Sequence, residues 1–253
     1  MNATWKDGAR FMAELRETPE GFALVADGME LRGDFARMLP RLRADRLARE
    51  LLVRAARVKG ASSAGDSACE SGRPWAIDMT AGLGEDSLLL AATGFAVTLY
   101  ECDPVIAALL RDALQRAAEM PELAEIVARM ELVEGDSVAG LSALAGGVAD
   151  GCVGALRLMG APRCPDVVYL DPMFPERTKS AAVKKKFQLL HHLEAPCANE
   201  EELVRAALAA HPRKVVIKRP VKGPNLADIK PAYSLAGKAV RYDVLVPAST
   251  RLV

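Results

Sequence analysis

From Trp75 onward, short apolar runs of strand length alternate with helical stretches, and four of those runs lead into an acid or a glycine-bearing loop. Residues 75–79, 96–100, 130–133, 167–170 and 214–217 read as buried strands. Helical patterns intervene at 84–93, 104–115, 122–128 and 200–210. Two further runs, 233–235 and 239–246, flank Gly237-Lys238 and read as a hairpin. Strands alternating with helices favour a parallel sheet covered on both faces, and a closing hairpin adds an antiparallel edge. The expectation is an α/β fold of Rossmann-like, class I methyltransferase type, with a mostly parallel seven-stranded sheet.

In such sheets the ligand sits outside the carboxyl ends of the strands, so the residues that follow each run carry the functional reading. After the first come Asp78-Met79-Thr80-Ala81-Gly82-Leu83-Gly84-Glu85-Asp86, where Gly82 and Gly84 can let the backbone approach a ligand. A dinucleotide fingerprint would place a third glycine at position 87, which is Ser87, so a cofactor without a pyrophosphate fits better. Glu101 ends the second run, 19 residues after Gly82, where an acid reaches ribose hydroxyls. S-adenosylmethionine has that ribose and no phosphate. Each signal has a plainer reading as well: the glycines also serve tight turns, and Asp136 also caps a helix.

After the fourth run stands Asp171-Pro172-Met173-Phe174-Pro175. An acid, a proline and an aromatic at a strand end can clamp a planar amine, which points to chemistry on a nucleobase. Asp-Pro also begins turns, and Phe174 could equally cap the core.

Composition bounds the rest. Met1 to Arg10 has no apolar signal region and no run nears the ~20 residues of a membrane span, so a cytosolic, membrane-free protein is expected. The five cysteines include no Cys-x-x-Cys pair, so neither a metal nor a disulfide framework is expected. Formal net charge is +0, yet basic residues cluster. Residues 31–60 hold nine basic against three acidic side chains; Lys179, Lys184, Lys185 and Lys186 form a second group, and Lys218 and Arg219 belong to a third. These are candidate RNA phosphate contacts, although basic helices are also ordinary solvated faces. Residues 35–59 read as a basic helical region broken at Pro40, and 61–74 as a flexible link. The expected division is therefore an appendage over 1–74 and a methyltransferase domain over 75–253. His191, His192 and His211 lack any triad or metal spacing and read as structural or surface residues.

With these segments in view, the chain resembles the RsmJ family, bacterial 16S ribosomal RNA guanine-N2 methyltransferases. The resemblance rests on Asp78 to Asp86, Glu101 to Leu110, Val167 to Pro175, Lys179 to Lys185 and Val215 to Pro220. It implies S-adenosylmethionine contacts at Glu85, Asp86, Glu101, Cys102, Asp136, Ser137 and Asp171. It also implies a substrate in 16S ribosomal RNA or the small ribosomal subunit. Asp171 and Phe174 would then orient the guanine amine. Glu85 and Cys102 depart from the family, which has basic residues at these places, and 146–165 is longer than usual. Two alternatives stay open at this point: another nucleobase amine such as adenine N6, or a non-catalytic RNA-binding assembly factor on a vestigial cofactor fold.

Overall fold

The computed structural model describes residues 2–4, 10–26, 29–58, 73–150, 164–172 and 199–247, with the backbone alone for 2–4, 10–12 and 144–150. Its strands are β1 (Asn2–Thr4), β2 (Arg10–Met12), β3 (Glu14–Thr18), β4 (Gly21–Ala26), β5 (Met29–Leu31), β6 (Trp75–Asp78), β7 (Ala96–Glu101), β8 (Met130–Glu134), β9 (Val167–Leu170), β10 (Lys214–Pro220), β11 (Tyr233–Ala236) and β12 (Val240–Leu245). The helices are α1 (Leu39–Leu42), α2 (Ala44–Leu47), α3 (Leu51–Ala56), α4 (Glu85–Ala92), α5 (Pro104–Ala118), α6 (Ala124–Val127), α7 (Ser137–Asp150) and α8 (Glu200–Ala209). The helix read over 122–128 is short, Ala124–Val127, and the fifth parallel strand runs three residues beyond its expected end, to Pro220.

The main sheet has seven strands in the order β11-β12-β10-β9-β6-β7-β8. Strands β10, β9, β6, β7 and β8 are mutually parallel, and β12 runs antiparallel to both β10 and β11. The chain leaves β6 toward β7 and β8, then returns to β9 on the other side of β6. This reversal opens a crevice between the carboxyl ends of β6 and β9, the binding position of doubly wound sheets. The strands read as continuous apolar runs because both faces are covered. One face packs α4, α3 and part of α5 through Leu88, Leu89, Leu52, Leu110 and Tyr169, and the other packs α8 and α7 through Leu203, Val204, Leu141, Val168 and Leu170.

Helix α5 starts where the sequence pattern says it should. Asp103 Oδ1 accepts from the amides of Val105 and Ile106 at 2.8 and 3.0 Å, and Pro104 fills the first helical position, where no amide hydrogen is needed.

The amino-terminal region departs from expectation. Its reading contained no strands, yet β3, β4 and β5 form an antiparallel sheet that packs Leu24, Ala26 and Leu31 on Val105 and Leu109 of α5. The local signal was the Thr18-Pro19-Glu20-Gly21 turn, closed by the Thr18 hydroxyl donating to the Gly21 carbonyl at 2.7 Å. Pro40 opens α1 instead of breaking a helix. The breaks fall at Arg43 and Glu50, whose backbones are extended. The boundary at residue 74 does not separate two cores: Phe35, Met38, Leu52, Val53 and Ala55 share one apolar cluster with Leu88, Tyr169 and Val244. The 61–74 link lies almost wholly outside the described residues.

Candidate active site at the carboxyl ends of the strands

Four adjacent strand ends carry the expected site, and backbone bonds tie them together. The Asp171 amide donates to Thr80 Oγ1 at 2.7 Å, joining the end of β9 to the loop after β6. In that loop Gly82 N donates to Glu101 Oε2 at 2.9 Å, which anchors the loop to the end of β7. The Gly135 amide donates to the Glu101 carbonyl at 2.9 Å and brings β8 into line. Asp171, Gly82, Glu101, Cys102, Asp136 and Ser137 thus lie along one edge.

The glycines of the loop have different jobs. Gly82 and Gly84 both have positive φ, 55° and 76°, a backbone that glycine adopts without steric cost. At Gly84 the space a side chain would take belongs to Leu110 and Phe35: a Cβ would lie 2.7 Å from Leu110 Cδ1 and 3.1 Å from Phe35 Cζ. Gly84 therefore serves the joint between α4, α5 and the amino-terminal region, and close approach of a ligand is not what its missing side chain provides.

Buried acids shape the electrostatics. Asp78 is buried and accepts from Ser87 Oγ at 2.6 Å and from Thr80 N at 3.0 Å. Burial pushes its carboxyl up to about 7, with those two bonds opposing the shift. Glu101 is also buried, and its two oxygens accept from Gly82 and Asp103 amides. Burial raises its pKa, against the pull of those amides. Each oxygen retains acceptor capacity for a hydroxyl. Asp136 is exposed and caps α7 through Oδ1, accepting from Val138 N at 2.6 Å and Ala139 N at 3.3 Å. Its helix-cap reading is thus correct, and its second oxygen is available to a ligand.

A charged chain that sequence inspection missed lies across the crevice. Tyr169 donates its hydroxyl to Asp86 Oδ2 at 2.6 Å, and Lys218 Nζ donates to Asp86 Oδ2 and to Asp171 Oδ2, both at 2.8 Å. Three elements meet here. Asp86 comes from the first turn of α4, Lys218 from β10, and Asp171 follows β9. Burial holds the Tyr169 hydroxyl well above its usual range, and the neighbouring Asp86 adds to that, so Tyr169 remains a donor. Burial works against the Lys218 ammonium, but Asp86 and Asp171 outweigh it and keep the group protonated. The Asp171 carboxyl is raised by burial and by Asp86, and Lys218 opposes both.

Two expected RNA contacts are displaced by this geometry. Lys218 is engaged inside the site instead of facing outward. Arg219 is corrected outright: its side chain is 1% exposed, donates from Nε to the Pro224 carbonyl at 2.9 Å and lies 3.8 Å from Glu200, so it cannot reach a phosphate. Alternation along β10 turned it to the opposite face from Lys218. Glu85 and Cys102 are exposed at the mouth. Phe174, Lys179, Lys184, Lys185, Lys186, His191 and His192 lie outside the described residues. Among the described residues no group of three or more metal-ligating side chains occurs, and no helix is long and apolar enough to cross a membrane.

The donor set discriminates between cofactors. A pyrophosphate would need the amino end of α4, but Glu85 and Asp86 occupy its first turn and would repel it. Glu101 suits a ribose, and the net negative Asp86, Lys218 and Asp171 group suits a cationic sulfonium. Residues 24–247 match a family model described as "Putative SAM-dependent methyltransferase". The chain belongs to that family, whose cofactor is S-adenosylmethionine. Over 177 residues it is 45% identical to the Ribosomal RNA small subunit methyltransferase J of Thioalkalivibrio sulfidiphilus, covering 70% of this chain and 64% of that protein. The protein of the same name from Pseudomonas aeruginosa is 45% identical over 172 residues, 68% of this chain and 60% of its own. The match thus spans a little under two thirds of the length of these relatives. The crystal structure of an S-adenosylmethionine-dependent methyltransferase from Neisseria gonorrhoeae superposes with a TM-score of 0.68 and 29% identity, covering 94% of this chain and 84% of that one. The family agrees with the resemblance carried by the glycine loop and the strand-end acids.

Proposed function

We propose that the protein transfers a methyl group from S-adenosylmethionine to the exocyclic N2 amine of a guanine in 16S ribosomal RNA. The observation that carries this reading is Asp171, a carboxylate one third exposed, fixed at the end of β9 beside the glycine loop and followed by a buried proline. The 45% identity to the small-subunit methyltransferases supports the substrate. An aromatic amine is a poor nucleophile because its lone pair is delocalised into the ring. Asp171 and the Pro172 carbonyl can each accept one of its N–H bonds, and Phe174 would stack on the base. The cofactor supplies an electrophilic methyl group on a sulfonium. Holding two reactants in line is worth up to ~7–11 kcal/mol of a barrier, so alignment by Asp171 does most of what is required before a proton leaves. Glu101 would accept from the ribose hydroxyls and Asp136 from the adenine amine. Glu85, Cys102 and Ser137 would line the mouth around them.

A base in structured RNA must leave its stack, at a cost of a few kcal/mol that stacking and phosphate contacts offset. Lys179, Lys184, Lys185 and Lys186 supply those contacts in this reading. Neutralising Lys184, Lys185 and Lys186 together should weaken binding to 16S RNA and flatten its dependence on salt, because each phosphate contact contributes to the slope. A filter-binding series across salt reads this, and an unaltered slope would assign them to a solvated face.

The function itself is tested by mapping modified nucleotides in 16S RNA from cells lacking the protein. One guanine should lack its N2 methyl group and regain it on incubation with purified protein and S-adenosylmethionine. Methyl transfer to adenine would redirect the substrate. An absence of cofactor binding by calorimetry would favour an assembly factor.

A further inference from the structure

We propose that Lys218 is a positioning residue for methyl transfer, its ammonium bridging Asp86 and Asp171 so that the Asp171 carboxylate stands with Oδ2 held and Oδ1 turned to the incoming amine. The inference rests on the reading of Asp171 as the amine acceptor and assigns a role to a side chain expected to contact RNA.

The geometry is specific. Lys218 sits opposite Tyr242 in the β10–β12 register and on the same face of the sheet as Val216, which packs against Tyr169 and Leu88 in the cluster beneath α4. From there Nζ reaches both carboxylates at 2.8 Å. Asp86 cannot swing freely because Tyr169, buried, donates to the same Oδ2 that Lys218 holds. The backbone of Asp171 is fixed separately, by its amide to Thr80 Oγ1. The carboxylate is therefore located from two directions, and among the described residues both restraints leave Oδ1 clear. An ammonium has three donors and can hold two carboxylates from different elements at once. This one draws together the first turn of α4 and the end of β9, the two elements that flank the crevice.

The bridge also governs the charge state. Asp171 feels the charges of Asp86 on α4, Asp78 on β6, Tyr169 on β9, Lys218 on β10 and Tyr242 on β12, with a weaker pull from Arg219 on the opposite face of β10, while Arg41 of α1 interacts with Asp86. Burial and Asp86 push Asp171 toward its neutral form, and Lys218 is the leading group opposing them. A protonated Asp171 would present a donor to an amine that needs an acceptor. Removal of the ammonium raises the pKa of Asp171, so activity is lost at a higher pH than in the wild type as pH falls.

The test compares K218M and K218Q, which lose the charge, with K218R, which keeps it. The acidic limb of kcat should move up by about 1–2 pH units in K218M and K218Q, the effect of removing an opposite charge at this distance. Even at high pH their kcat should stay below the wild-type value because Oδ2 is no longer held, the KM for S-adenosylmethionine should change less than threefold, and K218R should keep the wild-type limb. A merely structural lysine would lower kcat equally at every pH. Carbon NMR titration of the Asp171 carboxyl, assigned through D171N, should show the same upward shift with no substrate present. An unshifted Asp171 titration in both K218M and K218Q overturns the role of Lys218, whatever the enzyme's substrate. Wild-type protein that transfers no methyl group to 16S RNA overturns the proposed function instead.

Discussion

Alanine at position 171 should cut methyl transfer to 16S RNA on the order of 10³-fold, the scale of losing one oriented polar group in a water-excluded site. The fold should survive. The Asp171 side chain is one third exposed, and Lys218 keeps Asp86 as a partner at 2.8 Å, so the substitution strands no buried charge. The unfolding free energy from urea titration should lie within about 1 kcal/mol of wild type, since surface-edge substitutions rarely cost more. Asparagine should fall between the two enzymes. Its carbonyl oxygen can still accept from the amine, but it forfeits the charge that holds Lys218 in place. Single-turnover methylation of a 16S transcript measures both variants. Full activity in D171A would remove the nucleobase clamp from consideration.

The second large effect is on folding. Gly84→Val should destabilise the protein by about 2–5 kcal/mol, combining the cost of a left-handed backbone for a side-chain-bearing residue with that of overpacking a filled core. Gly84 has φ 76°, and its Cβ would meet Leu110 Cδ1 at 2.7 Å and the Phe35 ring at 3.1 Å. Both Leu110 and Phe35 are buried, Phe35 on the seven-residue path 32–38 between the amino-terminal sheet and α1, so neither can yield without disturbing the core. Urea unfolding with an unaltered m-value is the measurement. A midpoint equal to wild type would show that the joint is more compliant than its packing indicates. Cofactor affinity should fall along with stability, because Gly82 in the same loop reaches Glu101 only while the turn holds its shape.

The parallel strands, the hairpin and the strand-end acids were legible because their signals are local. A strand buried on both faces reads as an apolar run, and the residue that follows it must lie at the sheet edge, so Asp171, Glu101 and Asp136 could be located by counting. The amino-terminal sheet was less legible. The cover of strands β3 to β5 is α5, some 80 residues farther along the chain. For the same reason residues 35–59 read as a basic appendage by charge, although Phe35, Leu52 and Ala55 complete the main core.

Taken alone, the sequence determined the α/β class, the glycine loop, the absence of a pyrophosphate fingerprint and the set of acids along one sheet edge. Each follows from residues adjacent in the chain. Only the tertiary structure decided that Lys218 belongs to Asp86 and Asp171, that Arg219 is buried, and that Gly84 makes room for Phe35 and Leu110. Those partners lie tens of residues away, and a side chain's charge does not reveal which way a strand turns it. Alternation on β10 put Lys218 under α4 and Arg219 on the other face, so two consecutive basic residues serve different ends.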